Sequence, residues 1–248
     1  MTSESHRPRA TFEISHHEEP SGTLLAGFSE FGLAGLTAAN YLVEQLDLEE
    51  MGHITAEQLP AITPFENGRP RHHTRLFSRS DLDLTILVGE LFVPVWAADP
   101  FATAILDWTA KHGVEEIAVL SGIPVPHGPD EHRVFSIATD DFHEKRLDGT
   151  DIPGMGRGFL DGVNATLIAR GLDTPLATGV FVTPVHAQTP DVEAALRLID
   201  AVRDVYGLTI DTDPLEAFAE EVGEYYAELA QRVESAGDRE RPDDRMYM

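Results

Sequence analysis

The stretch Thr23–Leu46, TLLAGFSEFGLAGLTAANYLVEQL, decides the fold that this chain can adopt. Its first six residues, Thr23–Phe28, form an apolar run that ends in a glycine-bearing turn, which is typical of a buried strand. Apolar side chains then recur at helical spacing, at Leu36, Ala39, Val43 and Leu46. A buried strand, a tight turn and an amphipathic helix form the first half of a βαβ unit, so the stretch predicts an α/β protein.

Three glycines lie in and around this turn, at Gly27, Gly32 and Gly35. An open α/β sheet binds ligands at the carboxyl ends of its strands, which makes the turn one candidate crevice for an anion or another ligand. A phosphate loop requires Gly-Lys-Ser/Thr, but no lysine lies near the turn, and the glycine spacing does not fit a dinucleotide fingerprint. Structural turn glycines are therefore the favoured interpretation, with the crevice kept as the alternative.

A second glycine-rich turn, PGMGRG at Pro153–Gly158, precedes a helix that we predict from Phe159 to Arg170. Backbone amides and the helix dipole favour anions at a helix N-terminus, and Arg157 adds a positive charge there. Gly156, Arg157 and Gly158 therefore form the other half of the candidate crevice. The alternative is a tight loop between a strand and a helix.

The remaining sequence predicts strands that alternate with helices, and hence a mostly parallel sheet covered on both faces. Three helices are predicted to begin at a capping side chain followed by proline: Asp99-Pro100, Thr189-Pro190 and Asp213-Pro214. The predicted strands are Thr11–Ser15, Gly52–Glu57, His73–Phe77, Leu84–Gly89, Ile117–Leu120, Ala177–Val182 and an edge strand within His132–Ala138.

Composition restricts the function further. The 248 residues carry a formal charge of -25, and acids occur along the whole sequence, a pattern that favours a surface adapted to high salt. Such a charge disfavours nucleic acid and anionic membranes as partners. With 0 cysteines, the chain has neither disulfides nor thiolate chemistry. It has no apolar signal segment, so we expect a cytoplasmic protein.

Candidate chemistry is sparse. The adjacent pairs His16-His17 and His72-His73 cannot both face one ion from a regular element, and His127, His132 and His143 are spread through a loop-rich region. Ser121 before Gly122 is a weak substitute for a nucleophile elbow. We therefore predict no metal site, no cofactor and no catalytic constellation.

The last three residues carry the most specific signal. Ser235–Arg245 is polar and charged, and Met246, Tyr247 and Met248 follow it as a hydrophobic residue, tyrosine and any residue. Such a tail can present its carboxylate to a cationic pocket while the tyrosine and a methionine fill apolar surface beside it. The alternative is a frayed end without a role. We predict a disordered lead at 1–10, one domain at 11–234 and a flexible tail at 235–248.

Taken together, these segments resemble the PAC2 family of proteasome assembly chaperones, which has many archaeal members. The resemblance rests on the opening stretch, on LTILVGE (Leu84–Glu90), on EIAVLSGIPVPH (Glu116–His127) and on the segment that begins GMGRGFLDGVNATLIARG at Gly154. These matches specify a fold more than an activity. Together with the acidity and the scarcity of lysine, they look like a halophilic archaeal member.

The resemblance implies a three-layer α/β/α fold, similar to the phosphorylase/hydrolase-like class, in a protein that forms homo- or hetero-oligomers. It also implies ATP-independent binding to proteasome α-subunits, as single subunits or rings, through Met246, Tyr247 and Met248. The terminal carboxylate would then meet a lysine of the α-ring. The competing hypothesis from the residues is an enzyme or a binder of nucleosides or phosphates that uses the glycine-turn crevice.

Overall fold

The computed structural model describes residues 10–126, 128, 131–186 and 190–220. Residues 10–210 belong to one compact unit, and residues 211–220 belong to a second unit, which is described by itself below. Within the described residues, no helix is both long enough and apolar enough to cross a membrane.

The described part of the first unit is built on one large sheet. The strands of this unit are β1 (Thr11–His16), β2 (Thr23–Phe28), β3 (Glu49–Glu57), β4 (Phe65–Glu66), β5 (Arg69–Pro70), β6 (Thr74–Ser78), β7 (Thr85–Gly89), β8 (Glu116–Ile123), β9 (Phe135–Ala138) and β10 (Ala177–Pro184). Eight strands form the sheet, in the order β1-β3-β6-β7-β2-β8-β10-β9, and β4 and β5 form a separate hairpin. The four central strands β7, β2, β8 and β10 are parallel. The flanking strands pair antiparallel.

Helices cover both faces of this sheet. They are α1 (Ala34–Gln45), α2 (Val95–Lys111), α3 (Asp140–Phe142, continued by a π turn at His143–Leu147), α4 (Gly162–Gly171) and α5 (Val192–Tyr206). Leu24, Ala26 and Phe28 of β2 join one buried cluster with residues of α2 and α4. The position that a Cβ would take on Gly27 lies on the other face, against Gly35 and Ala39 of α1. Because side chains alternate along a strand, α1 and α2 lie on opposite faces. The predicted α/β/α layering is confirmed.

The predicted beginnings of the helices were wrong by a few residues. The helix α2 begins at Val95, so Pro100 lies inside it, and α5 is capped by Asp191, whose carboxylate accepts from the Ala194 amide at 2.9 Å. Thr189 lies outside the described residues. Only the first four amides of a helix lack intrahelical partners, and Pro100 is the sixth residue of α2, so this proline does not mark the beginning of the helix.

In the second unit, residues 213–220 are helical. The helix follows Thr212, whose carbonyl oxygen accepts from the amides of Leu215 and Glu216. The Thr212 hydroxyl donates to the Glu216 carboxylate at 2.7 Å. The cap of this helix is therefore Thr212, one residue earlier than the predicted cap at Asp213.

At the amino end of β8, the fully buried carboxylate of Glu116 joins three elements. It accepts from the Arg146 Nε at 2.8 Å and from the Tyr206 hydroxyl at 2.7 Å, and Lys145 Nζ lies 3.1 Å away. Burial and the adjacent carboxylate raise the pKa of Tyr206 well above its usual range. A buried carboxylate needs such partners, so this cluster ties the π turn and α5 to the sheet.

Candidate functional site

The three glycines of the first turn serve close packing. A Cβ on Gly27 would lie 2.1 Å from the carbonyl oxygen of Gly35, and a Cβ on Gly35 would lie 2.0 Å from that of Leu120. Gly32 has a φ of 66° and faces Val185. Since protein atoms occupy the space beside all three, these glycines let α1 approach β2 and β8 closely. They do not offer an open cradle of amides.

The second glycine turn has a different environment. Nothing lies within 4 Å of the position that a Cβ would take on Gly156 or Gly158. Arg157 between them is exposed and makes no ion pair with any residue that the structure describes. Upstream, the Pro153 carbonyl accepts from the Ser136 amide at 2.9 Å, so the chain runs beside β9 before it reaches α4. Of the two predicted halves of the crevice, only this one is open.

A polar cluster joins the two turns at the carboxyl edge of the central strands. Glu30 follows β2, Ser121 lies near the end of β8, and Asn164 lies in the first turn of α4. The Ser121 hydroxyl donates to Glu30 Oε2 at 2.6 Å, and the Asn164 amide donates to the same oxygen at 2.9 Å and to the Ser121 oxygen at 3.1 Å. The helix α1, which follows β2, and the helix α2, which follows β7, lie on opposite faces of the sheet. Open α/β sheets form their ligand-binding crevice at the carboxyl ends of the strands where the helices change faces in this way.

Burial controls the protonation of this cluster. Desolvation raises the pKa of Glu30, the two hydrogen bonds oppose that rise, and Asp161 adds repulsion in the same direction as burial. Asn164 is only 4% exposed, and its Oδ1 has no hydrogen-bond partner within the described part of the chain. A carboxyl group whose pKa is raised beside a buried serine is suited to acid–base chemistry.

No sequence motif points to Glu30 or Asn164, and Ser121 matches only a weak substitute for a nucleophile elbow. The signal for Glu30 was its position two residues after a buried strand, where an acid is costly unless it has partners. Asn164 carried no signal, because its proximity to Glu30 depends on how α4 packs.

The same edge of the sheet displays most of the exposed apolar surface. Within the described part of the first unit, all but one of the exposed large apolar side chains lie at the carboxyl ends of the central strands, in loops and in the first turn of α2, or in the β3–β6 connection beside them. The exception is Leu172. The members of this apolar edge are Phe31, Ile62, Phe65, Phe92, Val95, Trp96, Val125 and Phe159.

The aromatic members of the apolar edge expose roughly 700 Å² together, if each ring contributes ~200 Å² when fully exposed. Charged residues are scarce there: residues 91–98 and 122–126 contain no Asp, Glu, Lys or Arg, although 25% of the chain is charged. Where such side chains are contiguous, exposed apolar surface of this extent is typical of a protein–protein contact.

The histidines of the loop-rich region do not converge. His127 lies outside the described residues, the ring of His132 approaches His186 edge-to-face at 6.2 Å, and His143 pairs with Asp148 at 3.1 Å. In the residues that the structure describes, no group of three or more His, Asp or Glu side chains is arranged to hold a metal ion.

Comparison with known proteins identifies relatives of this fold. The model of the PAC2 family matches residues 24–230. No curated protein matches the sequence. Among solved structures, Pyrococcus furiosus PbaA, an archaeal homolog of proteasome-assembly chaperone, superposes with a TM-score of 0.81 at 22% identity, over 96% of this chain and 100% of that chain.

Two further structures are similar. Pyrococcus furiosus PbaB, an archaeal proteasome activator, has a TM-score of 0.77 at 21% identity, over 89% of this chain and 99% of its own. A Thermoplasma acidophilum protein of unknown function has a TM-score of 0.72 at 23% identity, over 91% and 92% of the two chains. At these identities the similarity shows a shared fold.

Proposed function

The chain belongs to the PAC2 family, and we propose that it binds proteasome α-subunits or the α-ring through Met246, Tyr247 and Met248, without ATP. The observation that carries the proposal is this C-terminal hydrophobic-Tyr-any sequence in a PAC2 protein. These three residues lie outside the described part of the structure. The similar folds of a proteasome-assembly chaperone homolog and a proteasome activator support the choice of partner.

The proposed contact has a simple physical basis. Tyrosine buries a large ring at low entropic cost and keeps a polar hydroxyl at the rim, so Tyr247 is the anchor. Met246 is a flexible apolar side chain that adapts to an uneven pocket. A lysine of the α-ring would neutralise the terminal carboxylate.

The first unit supports a role in protein binding. The apolar edge is exposed aromatic surface with few charges, which suits contact with a protein more than contact with a small polar substrate. The proposal includes self-association into a homo-oligomer. Several tails carried by one oligomer would engage several pockets, and their effective concentration would strengthen weak individual contacts.

The test compares four chains for binding to immobilised α-rings: full length, a deletion of Met246–Met248, Tyr247→Ala and Met248→Leu. We expect no binding by the deletion and an affinity about 30-fold lower for Tyr247→Ala, which corresponds to ~2 kcal/mol for an anchoring aromatic. Met248→Leu is the matched control, since the last position accepts any residue. Undiminished binding by the deletion would exclude the tail, and light scattering of the same samples reports the oligomer.

A second candidate function rests on the polar cluster of Glu30, Ser121 and Asn164 beside the open turn at Arg157. A carboxyl with a raised pKa, a buried amide oxygen without a partner in the described residues and an exposed guanidinium suit a small ligand such as a nucleoside or a phosphate. Thermal-shift screening with these ligands tests it. A saturable stabilisation that Arg157→Ala abolishes would favour this function over the tail-mediated one.

A further inference from the structure

Two histidines that are 96 positions apart in the sequence come together away from the polar cluster. His16 is the last residue of β1, and His112 is the C-cap of α2, where its backbone amide bonds to the Trp108 carbonyl. Gly52 lies opposite His16 in the sheet, and a Cβ there would lie 2.7 Å from the His16 Cβ. The absence of that Cβ leaves space for the His16 ring beside β3.

Hydrogen bonds fix how each ring is protonated. His16 Nδ1 lies 2.7 Å from the Glu18 carbonyl oxygen, and His112 Nδ1 lies 3.0 Å from the Glu19 carboxylate. Both partners are acceptors, so both Nδ1 atoms must carry the hydrogen. In neutral rings, each Nε2 therefore presents a lone pair. The two Nε2 atoms face each other at 3.3 Å.

Two lone pairs at that distance repel one another unless a cation lies between them. We propose that His16 and His112 bind a divalent transition-metal ion of the zinc class through their Nε2 atoms. Two Zn–N bonds of ~2.05 Å at a tetrahedral angle place the nitrogen atoms about 3.3 Å apart, which is the observed separation. The ring planes meet at 89° with their centroids 4.5 Å apart, so the rings are not stacked, and a small rotation of the rings brings both nitrogens onto one ion.

The surroundings favour a cation. Metal-ligating histidines usually donate their other ring N–H to a carbonyl or a carboxylate, and here His16 donates to a carbonyl and His112 to a carboxylate. His112 lies at the C-terminus of α2, where the helix dipole is negative. The formal charge of -25 raises the local concentration of cations.

The proposed site has two protein ligands, because within the described part of the chain no third His, Asp or Glu joins them in a metal-holding group. Water would fill the two remaining tetrahedral positions, so the ion would be exchangeable. We expect a dissociation constant on the order of 10 µM, far weaker than that of a four-ligand structural zinc site.

Another histidine pair provides a matched control. The rings of His53 and His72 stack with their centroids 3.6 Å apart and their planes at 4°. Stacked rings direct their nitrogens outward in parallel planes, so they cannot share one tetrahedral ion. Burial and, second, the neighbouring His72 lower the pKa of His53.

The experiment titrates zinc into the full chain, without an affinity tag, by calorimetry. Wild type should bind one ion per chain, and His16→Gln and His112→Gln should each weaken binding at least tenfold. Glu19→Gln, which removes the negative charge of the acceptor behind His112, should weaken it about tenfold. His53→Gln should bind as wild type does, and magnesium, which prefers oxygen ligands, should not bind at this site.

Nuclear magnetic resonance of the histidine ring nitrogens in wild type tests the site without any substitution. Zinc should shift the Nε2 signals of His16 and His112 and leave both Nδ1 atoms protonated. The proposal is overturned if zinc leaves these signals unchanged, because the pair then holds only a shared proton. It is equally overturned if His53→Gln weakens zinc binding as much as His16→Gln does.

Discussion

The contact between α1 and β8 at Gly35 gives the sharpest prediction about the fold. In Gly35→Ala the new Cβ would lie 2.0 Å from the Leu120 carbonyl oxygen and 2.7 Å from its carbon. A carbon and a carbonyl oxygen normally approach to about 3.3 Å, so α1 must move away from β8 by more than ~1 Å. Both sides of the contact are backbone, and no side chain can rotate to relieve it.

The magnitude follows from two opposing terms. Overpacking of a core costs about 1–3 kcal/mol and occasionally more, and a clash between backbones belongs at the upper end. Alanine recovers ~1 kcal/mol through its higher helix propensity. We expect a net loss of about 2 kcal/mol, a large fraction of the 5–15 kcal/mol typical of folded domains.

Urea unfolding at constant salt measures this loss. At a slope of about 2–3 kcal/mol per molar urea, the midpoint should fall by roughly 1 M. Gly156→Ala makes the same chemical change where a Cβ meets nothing, and its midpoint should stay within ~0.2 M of wild type. If Gly35→Ala unfolds at the same urea concentration as Gly156→Ala, the proposed close approach of helix and strand is refuted.

Three further predictions follow from the described contacts. Because the pKa of Glu30 is raised on folding, its contribution to stability falls as pH rises above 4.5, its ordinary value, and through the folded pKa. Glu30→Gln should therefore match wild type near pH 4 and unfold at higher urea at pH 8, and an opposite trend would contradict the direction of the shift. Tyr206→Phe removes a 2.7 Å hydrogen bond to the buried Glu116 carboxylate and should cost about 1–3 kcal/mol in the same assay, whereas a change below 0.5 kcal/mol would show that Glu116 is satisfied without it. Phe159→Ser lies at a fully exposed side chain and should change the unfolding free energy by no more than ~0.5 kcal/mol while reducing the binding of a hydrophobic dye; a large destabilisation would show that Phe159 is packed.

Much of the fold could be predicted from local patterns. The apolar run at Thr23–Phe28 is the buried strand β2, and the helical spacing after it is α1. The first and last residues of each helix depend on only a few side chains, and the predicted helix beginnings were less accurate than the predicted elements themselves. Pro100 was expected to begin a helix, but apolar packing at Ala97 and Ala98 extends α2 back to Val95. Hydrophobic periodicity predicts that a helix or strand is present more reliably than it predicts the residues at which that element begins and ends.

The candidate site was predicted only in part. The two glycine turns were placed at strand ends from their sequence, and the structure brings both to the carboxyl edge of the sheet. The roles of the glycines differ, because a Cβ added at Gly27 or Gly35 would clash with backbone atoms, whereas a Cβ added at Gly156 would meet nothing within 4 Å. Glu30 and Asn164 are 134 positions apart, and no local pattern connects them.

The sequence alone determined the class of the fold, the acidic surface and the family resemblance, because each is a property of composition, short-range periodicity or an ordered set of segments. It also carries the proposed docking tail, which is three consecutive residues. Only the tertiary structure decided which distant side chains meet, as Glu30 meets Asn164 and His16 meets His112. Such pairs are made when helices pack on the sheet, and packing geometry depends on side chains from the whole chain at once.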